Sequence, residues 1–207
     1  MATRVYLYPV WIRLWHSLNA LLFIILILTG ISLQYVTVEG GFVIFSFESA
    51  IAWHNVAAFL LTANYVVYVL GNWFTKNGKY YRVKKKKMTQ RLIKQFRFYA
   101  YGMFKGEPHP FPVTEKRKFN PLQKMSYVLA MYVGMPVLII SGFGLLFPEL
   151  LVGQFLGISG LAITDILHIT TGFILSVFMA VHIYTCTLGE KPGTLFKSMI
   201  NGYHEEH

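Results

Sequence analysis

Four stretches of the chain, about 11–35, 50–71, 122–147 and 161–188, are apolar almost throughout, with polar segments between them. Each reaches the roughly 20 residues that an α-helix needs to cross a bilayer. Lipid offers the backbone no hydrogen-bond partner, so such stretches must be helical from end to end. The pattern predicts an all-α fold: an integral membrane four-helix bundle in one domain over 1–207. A polar loop, about 72–121, joins the second span to the third. Trp11 and Trp15 at the start of the first span read as interfacial anchors, while Trp53 lies near the start of the second span and Trp73 just past its end. Pro136 lies inside the third span and predicts a kink, tolerated where a neighbouring helix satisfies the freed backbone group.

Composition agrees, with 55% hydrophobic residues and a mean hydropathy of +0.47. A net charge of +10 would suggest nucleic acid in a soluble protein, but here its placement excludes that reading. Arg4 and Arg13 precede the first span, Lys191 and Lys197 follow the fourth, and the other fifteen Lys and Arg lie between Lys76 and Lys124. The loops at about 36–49 and 148–160 hold none. All basic residues thus fall on one side, which the positive-inside rule makes cytoplasmic, with both termini. The expected location is the bacterial inner membrane, as a multi-pass protein. The first apolar run starts near Leu18, is long enough to span and lacks a small-residue cleavage site, so it does not read as a cleavable signal.

Within the middle loop, Met88, Leu92, Phe96, Tyr99 or Ala100, and Met103 recur at helical spacing among Arg91, Lys94 and Arg97. That predicts an amphipathic cytoplasmic helix lying on the inner leaflet. Its charge can bind anionic lipid or dock a cytoplasmic partner.

Seven histidines occur, and His16, His54, His168 and His182 belong to the spans. His109, His204 and His207 fall in the cytoplasmic loop or tail, and the tail's His204-Glu205-Glu206-His207 reads as solvated. A polar group inside a span is costly and calls for a partner. His168 and His182 are fourteen residues apart, which is about 21 Å of rise and about 40° of rotation on one helix face. They sit near opposite membrane surfaces. By depth His182 pairs with His16, and His168 pairs with His54. Two such pairs are what two stacked bis-histidine b hemes require, with His16 and His182 on the inner iron and His54 and His168 on the outer. The one cysteine, Cys186, and the absence of C-x-x-C-H mean that the hemes are held without thioether links. Gly30, Gly142, Gly144 and Gly172 can make room for porphyrin or allow close helix packing. Arg13, three residues before His16 on the same face, can pair with a propionate of the inner heme or snorkel to headgroups. Met131 and Met135 read as packing.

Taken together, Arg13-Leu14-Trp15-His16, Trp53-His54, Asn120-Pro121-Leu122-Gln123-Lys124 and the spaced His168 and His182 resemble the prokaryotic di-heme cytochrome b family. Its members include the membrane gamma or C subunits of formate dehydrogenase-N, nickel–iron hydrogenase and thiosulfate reductase. The resemblance covers nearly the whole chain. It implies a quinone site beside the inner heme, near His182 and the Asn120–Lys124 segment, with Asn120 and Gln123 bonding a quinone carbonyl. Asn120-Pro121 also reads as a cap and turn opening the third helix. The long basic loop departs from the best-known members and leaves the soluble partner open.

The expected function is a membrane cytochrome b subunit of a respiratory complex. It passes electrons between a periplasmic iron–sulfur or multiheme subunit and the quinone pool, in a direction the sequence does not set. The chain carries no motif for a molybdopterin, nickel or iron–sulfur centre, so it is read as a subunit and not as a complete dehydrogenase. Two other classes compete: a self-contained di-heme quinone-linked oxidase, and a proton-coupled transporter using the histidines as a relay.

Overall fold

The computed structural model describes residues 3–35, 44–83, 86–188 and 193–206. Lys84, Lys85, Lys191 and His207, which entered the charge and tail readings, lie outside them. Four helices are long and apolar enough to cross a membrane: Val10–Tyr35, Phe47–Phe74, Pro121–Leu146 and Gly160–Cys186. The chain is an all-α, multi-pass membrane bundle. The first span packs along the second, and the third along the fourth. All four meet in one core of Leu22, Ala57, Leu61, Ala130, Met135 and Leu175. Most other large apolar side chains point outward, as lipid-facing surfaces do.

Local chemistry fixes the span ends. Ser46 caps the second helix, its hydroxyl accepting from the Ser49 N–H. Asn120 opens the third with a full capping box: its side chain accepts from the Gln123 N–H at 2.9 Å, and the Gln123 side chain accepts from the Asn120 N–H at 3.2 Å. Pro121 follows in the first turn, where a missing N–H leaves no bond unfilled.

Pro136 acts through a π turn, Ala130–Gly134, just upstream of it. There the Met135 N–H bonds the Ala130 carbonyl. The next donor in that pattern would be residue 136, and proline has none. The Met131 carbonyl is therefore left over, and Tyr65 of the second span donates its hydroxyl to it at 2.9 Å.

Two of the tryptophans differ from the interfacial reading. Trp15 is buried, stacks on Tyr68 at 4.5 Å between ring centres and donates its indole N–H to the Asn64 carbonyl at 2.9 Å. Asn64 returns a bond from its amide to the Trp15 carbonyl. An indole inside a bundle needs such a partner, and Asn64 supplies it from the facing helix. Trp11 is also turned inward: its ring lies where a Cβ on Gly71 would sit, 2.6 Å away. Trp53 and Trp73 are exposed, as interfacial anchors are.

The basic loop carries a helix, Met88–Arg97, that continues through a π turn at Phe98–Gly102 to Lys105. Its apolar residues divide between two faces. Met88, Leu92, Tyr99 and Met103 are half-buried beside the fully buried Gln95, while Ile93, Phe96 and Phe104 are exposed. The predicted single apolar stripe thus mostly faces the bundle, because the loop folds back onto the third span. A buried lysine helps hold the loop there. Lys118 donates to the Asn77 side-chain oxygen at 3.2 Å and lies 4.3 Å from the centre of the Tyr8 ring. Burial lowers its pKa to about 7.

At the same end, a strand at Thr3–Tyr6 pairs antiparallel with Tyr203–Glu206. The tail therefore has a partner strand that the sequence does not announce. At the opposite end, Gln154–Phe155 and Ile158–Ser159 form a short hairpin.

Candidate functional site

Helix geometry brings the four span histidines together as two couples. His16, in the second turn of the first span, meets His182 of the fourth with ring centres 6.1 Å apart and planes at 64°. His54 of the second span meets His168 of the fourth at 6.3 Å and 67°. The first couple lies at the basic end, with the termini and middle loop, and the second at the opposite end. Depth and helix direction had predicted this pairing.

The spacing is compatible with a metal held between the two rings of each couple. Two rings in van der Waals contact need no particular axis between them. A metal held by two imidazoles needs about 2.0 Å to each nitrogen, and each nitrogen lies about 1.1 Å from its ring centre. Collinear bonds thus put the centres about 6.2 Å apart, and both couples match. The donor set, two neutral imidazoles on separate helices, suits heme iron. The residues present therefore fit one heme per couple.

Hydroxyl groups orient the rings of the second couple. Thr29 Oγ1 lies 2.9 Å from His54 Nδ1, and Ser141 Oγ lies 3.0 Å from His168 Nδ1. Each hydroxyl already donates its proton to a backbone carbonyl one turn back, Ile25 and Val137 respectively, both at 2.7 Å. A hydroxyl has one proton, so each oxygen must accept from the imidazole Nδ1–H. That fixes the tautomer and leaves both Nε2 lone pairs free for a metal. Glycine follows each hydroxyl residue. A Cβ on Gly30 would come 3.6 Å from His54 Cε1, and one on Gly142 3.1 Å from His168 Cε1. Gly142 makes room for the His168 ring, whereas a Cβ at residue 30 would meet His54 at ordinary contact distance. Gly144 faces Leu151 and Thr164, and Gly172 faces Leu138, so both serve packing.

At the basic end, Tyr127 Oη lies 3.2 Å from His182 Nδ1. Phe178 stacks on the same ring at 6.0 Å and Tyr127 meets it edge-on at 5.5 Å. Arg13 donates from one guanidinium nitrogen to the Ile200 carbonyl of a short helix near the C-terminus, Thr194–Asn201, a partner that neither sequence reading named. Its Nε, and Asn19 Oδ1 on the other side of His16, are buried without a hydrogen-bond partner among the described residues. Both lie three residues from His16 and so share its face. A spare buried donor beside an imidazole suits a carboxylate such as a heme propionate.

The Asn120–Lys124 segment lies one turn closer to the basic end, since Gln123 precedes Tyr127 by four residues on one helix face. Asn120 is buried and largely occupied: its oxygen caps the helix and its amide donates to Tyr99 Oη at 2.9 Å. The capping reading of Asn120 is thus what the structure displays, and the Gln123 amide nitrogen is the donor outside the box. Lys124 bonds through its own N–H to the Asn120 carbonyl. Thr29, Ser141, Tyr127 and Tyr65 were not singled out from sequence. The repeated hydroxyl–glycine pairs, Thr29-Gly30 and Ser141-Gly142, are the signal that could have found the first two.

Comparison with known proteins adds an independent line. Residues 7–202 match the family described as prokaryotic cytochrome b561. A protein of Escherichia coli (strain K12) named "Putative cytochrome YdhU" is 39% identical over 201 residues, covering 97% of this chain and 75% of its own length. No solved structure matches.

Proposed function

The chain belongs to the prokaryotic cytochrome b561 family and is a membrane electron-transfer protein of the heme b type, and from that premise we propose that it holds two hemes and links a redox partner at one membrane face to quinone at the other. The observation that carries the reading is the presence of two imidazole couples, at 6.1 and 6.3 Å, near opposite ends of one bundle. Bound heme would supply the reversible one-electron redox chemistry of the transfer.

The chain's own residues do the rest. His16 and His182 would hold the inner group, and His54 and His168 the outer. Thr29 and Ser141 fix the outer imidazoles in the tautomer that offers Nε2. Arg13 supplies a positive charge beside the inner group through its spare Nε. The quinone site lies between His182 and the start of the third span. Gln123 offers the amide donor to a quinone carbonyl there, Lys124 adds positive charge, and Asn120 holds the turn through its cap. Protons reach this end from the aqueous phase on the side of the basic loop. The one-sided placement of Lys and Arg orients that side to the cytoplasm of a bacterial inner membrane. The opposite end then faces the periplasm, where an iron–sulfur or multiheme subunit of a respiratory complex exchanges electrons with it. The amphipathic loop helix rests on anionic lipid of the inner leaflet through Ile93, Phe96 and its lysines.

Paired variants test the assignment. His182→Ala should lower the heme content from two to one per chain and abolish reduction by quinol, while the remaining heme stays reducible by a soluble mediator. His54→Ala should also leave one heme, but one that quinol still reduces. Quinol reduction surviving in His182→Ala would contradict the proposal.

A further inference from the structure

The two imidazole couples are built differently, and the difference has a sign. In the outer couple both Nδ1 protons go to hydroxyl oxygens whose own protons are held by backbone carbonyls, so Thr29 and Ser141 can only accept. Donating that proton pushes electron density toward Nε2 and makes the ring a stronger ligand. A stronger donor favours the ferric over the ferrous state and lowers the reduction potential. In the inner couple, among the described residues, the Nδ1 contact is one phenol, Tyr127 on His182 at 3.2 Å. A phenol oxygen shares its lone pair with the ring and accepts less readily than an alkyl hydroxyl. No hydroxyl reaches His16 among the described residues.

The charges act in the same direction. Asp165 lies three residues before His168 on one helix face, and its negative charge opposes reduction of the outer site. Arg13 lies three residues before His16, and the Lys and Arg of the middle loop share that end. Positive charge there favours the electron-rich, reduced state of the inner site.

We propose that Thr29 and Ser141 are positioning residues that make the outer site the lower-potential one of the two, with Tyr127 giving the inner site a weaker version of the same contact. The ordering rests on the paired-heme reading and deepens it by assigning a downhill direction. With heme bound, one electron would move from the reduced outer site to the oxidised inner site, oxidising the first and reducing the second, toward the quinone end.

Potentiometric titration of the purified, heme-loaded full chain, followed by visible absorbance, tests this. It should give two one-electron waves. Thr29→Val and Ser141→Ala should each move the lower wave upward and leave the upper wave in place. Thr29→Ser and Ser141→Thr, which keep the oxygen, should hold the lower wave at its wild-type position. Asp165→Asn, at an exposed position, should also raise the lower wave without touching either hydroxyl. Tyr127→Phe should raise only the upper wave. If the Thr29, Ser141 and Asp165 variants moved the upper wave, or moved neither, the ordering would be overturned while the paired-heme reading stood. A single wave with one heme per chain would overturn both.

Discussion

At the scale of single residues, the hydroxyl–glycine pairs explain how an imidazole can stand inside a span without strain. The hydroxyl fixes the ring's tautomer, and at residue 142 the missing Cβ admits the ring. The two glycines differ in tolerance. A Cβ at residue 142 would lie 3.1 Å from His168 Cε1, tighter than ordinary contact, while one at residue 30 would lie 3.6 Å from His54 Cε1. Gly142→Ala should therefore displace His168 and lower the heme-to-protein ratio, with Gly30→Ala close to wild type. Equal ratios in the two variants would show that the His168 ring has more room than this packing allows. The four histidines were legible in the sequence because ionisable groups in an apolar span stand out. Thr29 and Ser141 were not. A hydroxyl that bonds its own helix backbone is common in such spans, and only the facing imidazole gives it a further task.

Among the elements, the spans were legible to within about three residues, since length and apolarity in lipid leave little choice of structure. What the sequence could not supply was how one helix repairs another. Pro136 predicted a kink, but not the π turn or the Tyr65 hydroxyl that satisfies the Met131 carbonyl. Tyr65→Phe leaves that part-buried carbonyl unpaired and should cost about 1–3 kcal/mol, measured as a fall in the unfolding midpoint in detergent. No loss of stability would mean the carbonyl finds another donor. Trp15 was misread for a related reason. Its place at a span end suits an interfacial anchor, and only the facing Asn64 and Tyr68 turn it inward. The loop helix divides its apolar residues between bundle and exterior, which periodicity along one helix cannot reveal.

Across the whole molecule, topology and chemistry follow from one arrangement. Four spans return both termini to one side, where the strands Thr3–Tyr6 and Tyr203–Glu206 pair and the basic residues among those described gather. The fourth span carries one histidine of each couple, so a single helix sets the depth of both sites. That much was legible, because a fourteen-residue spacing reads directly as depth and face. The segment proposed to meet quinone was less so: Asn120 is an occupied cap, which leaves the Gln123 amide as the proposed donor. The central claim is that each couple holds its own heme. A pyridine hemochrome determination on the purified chain, set against protein concentration, measures this directly. Two hemes b per chain is the predicted result, and one or none would contradict the account.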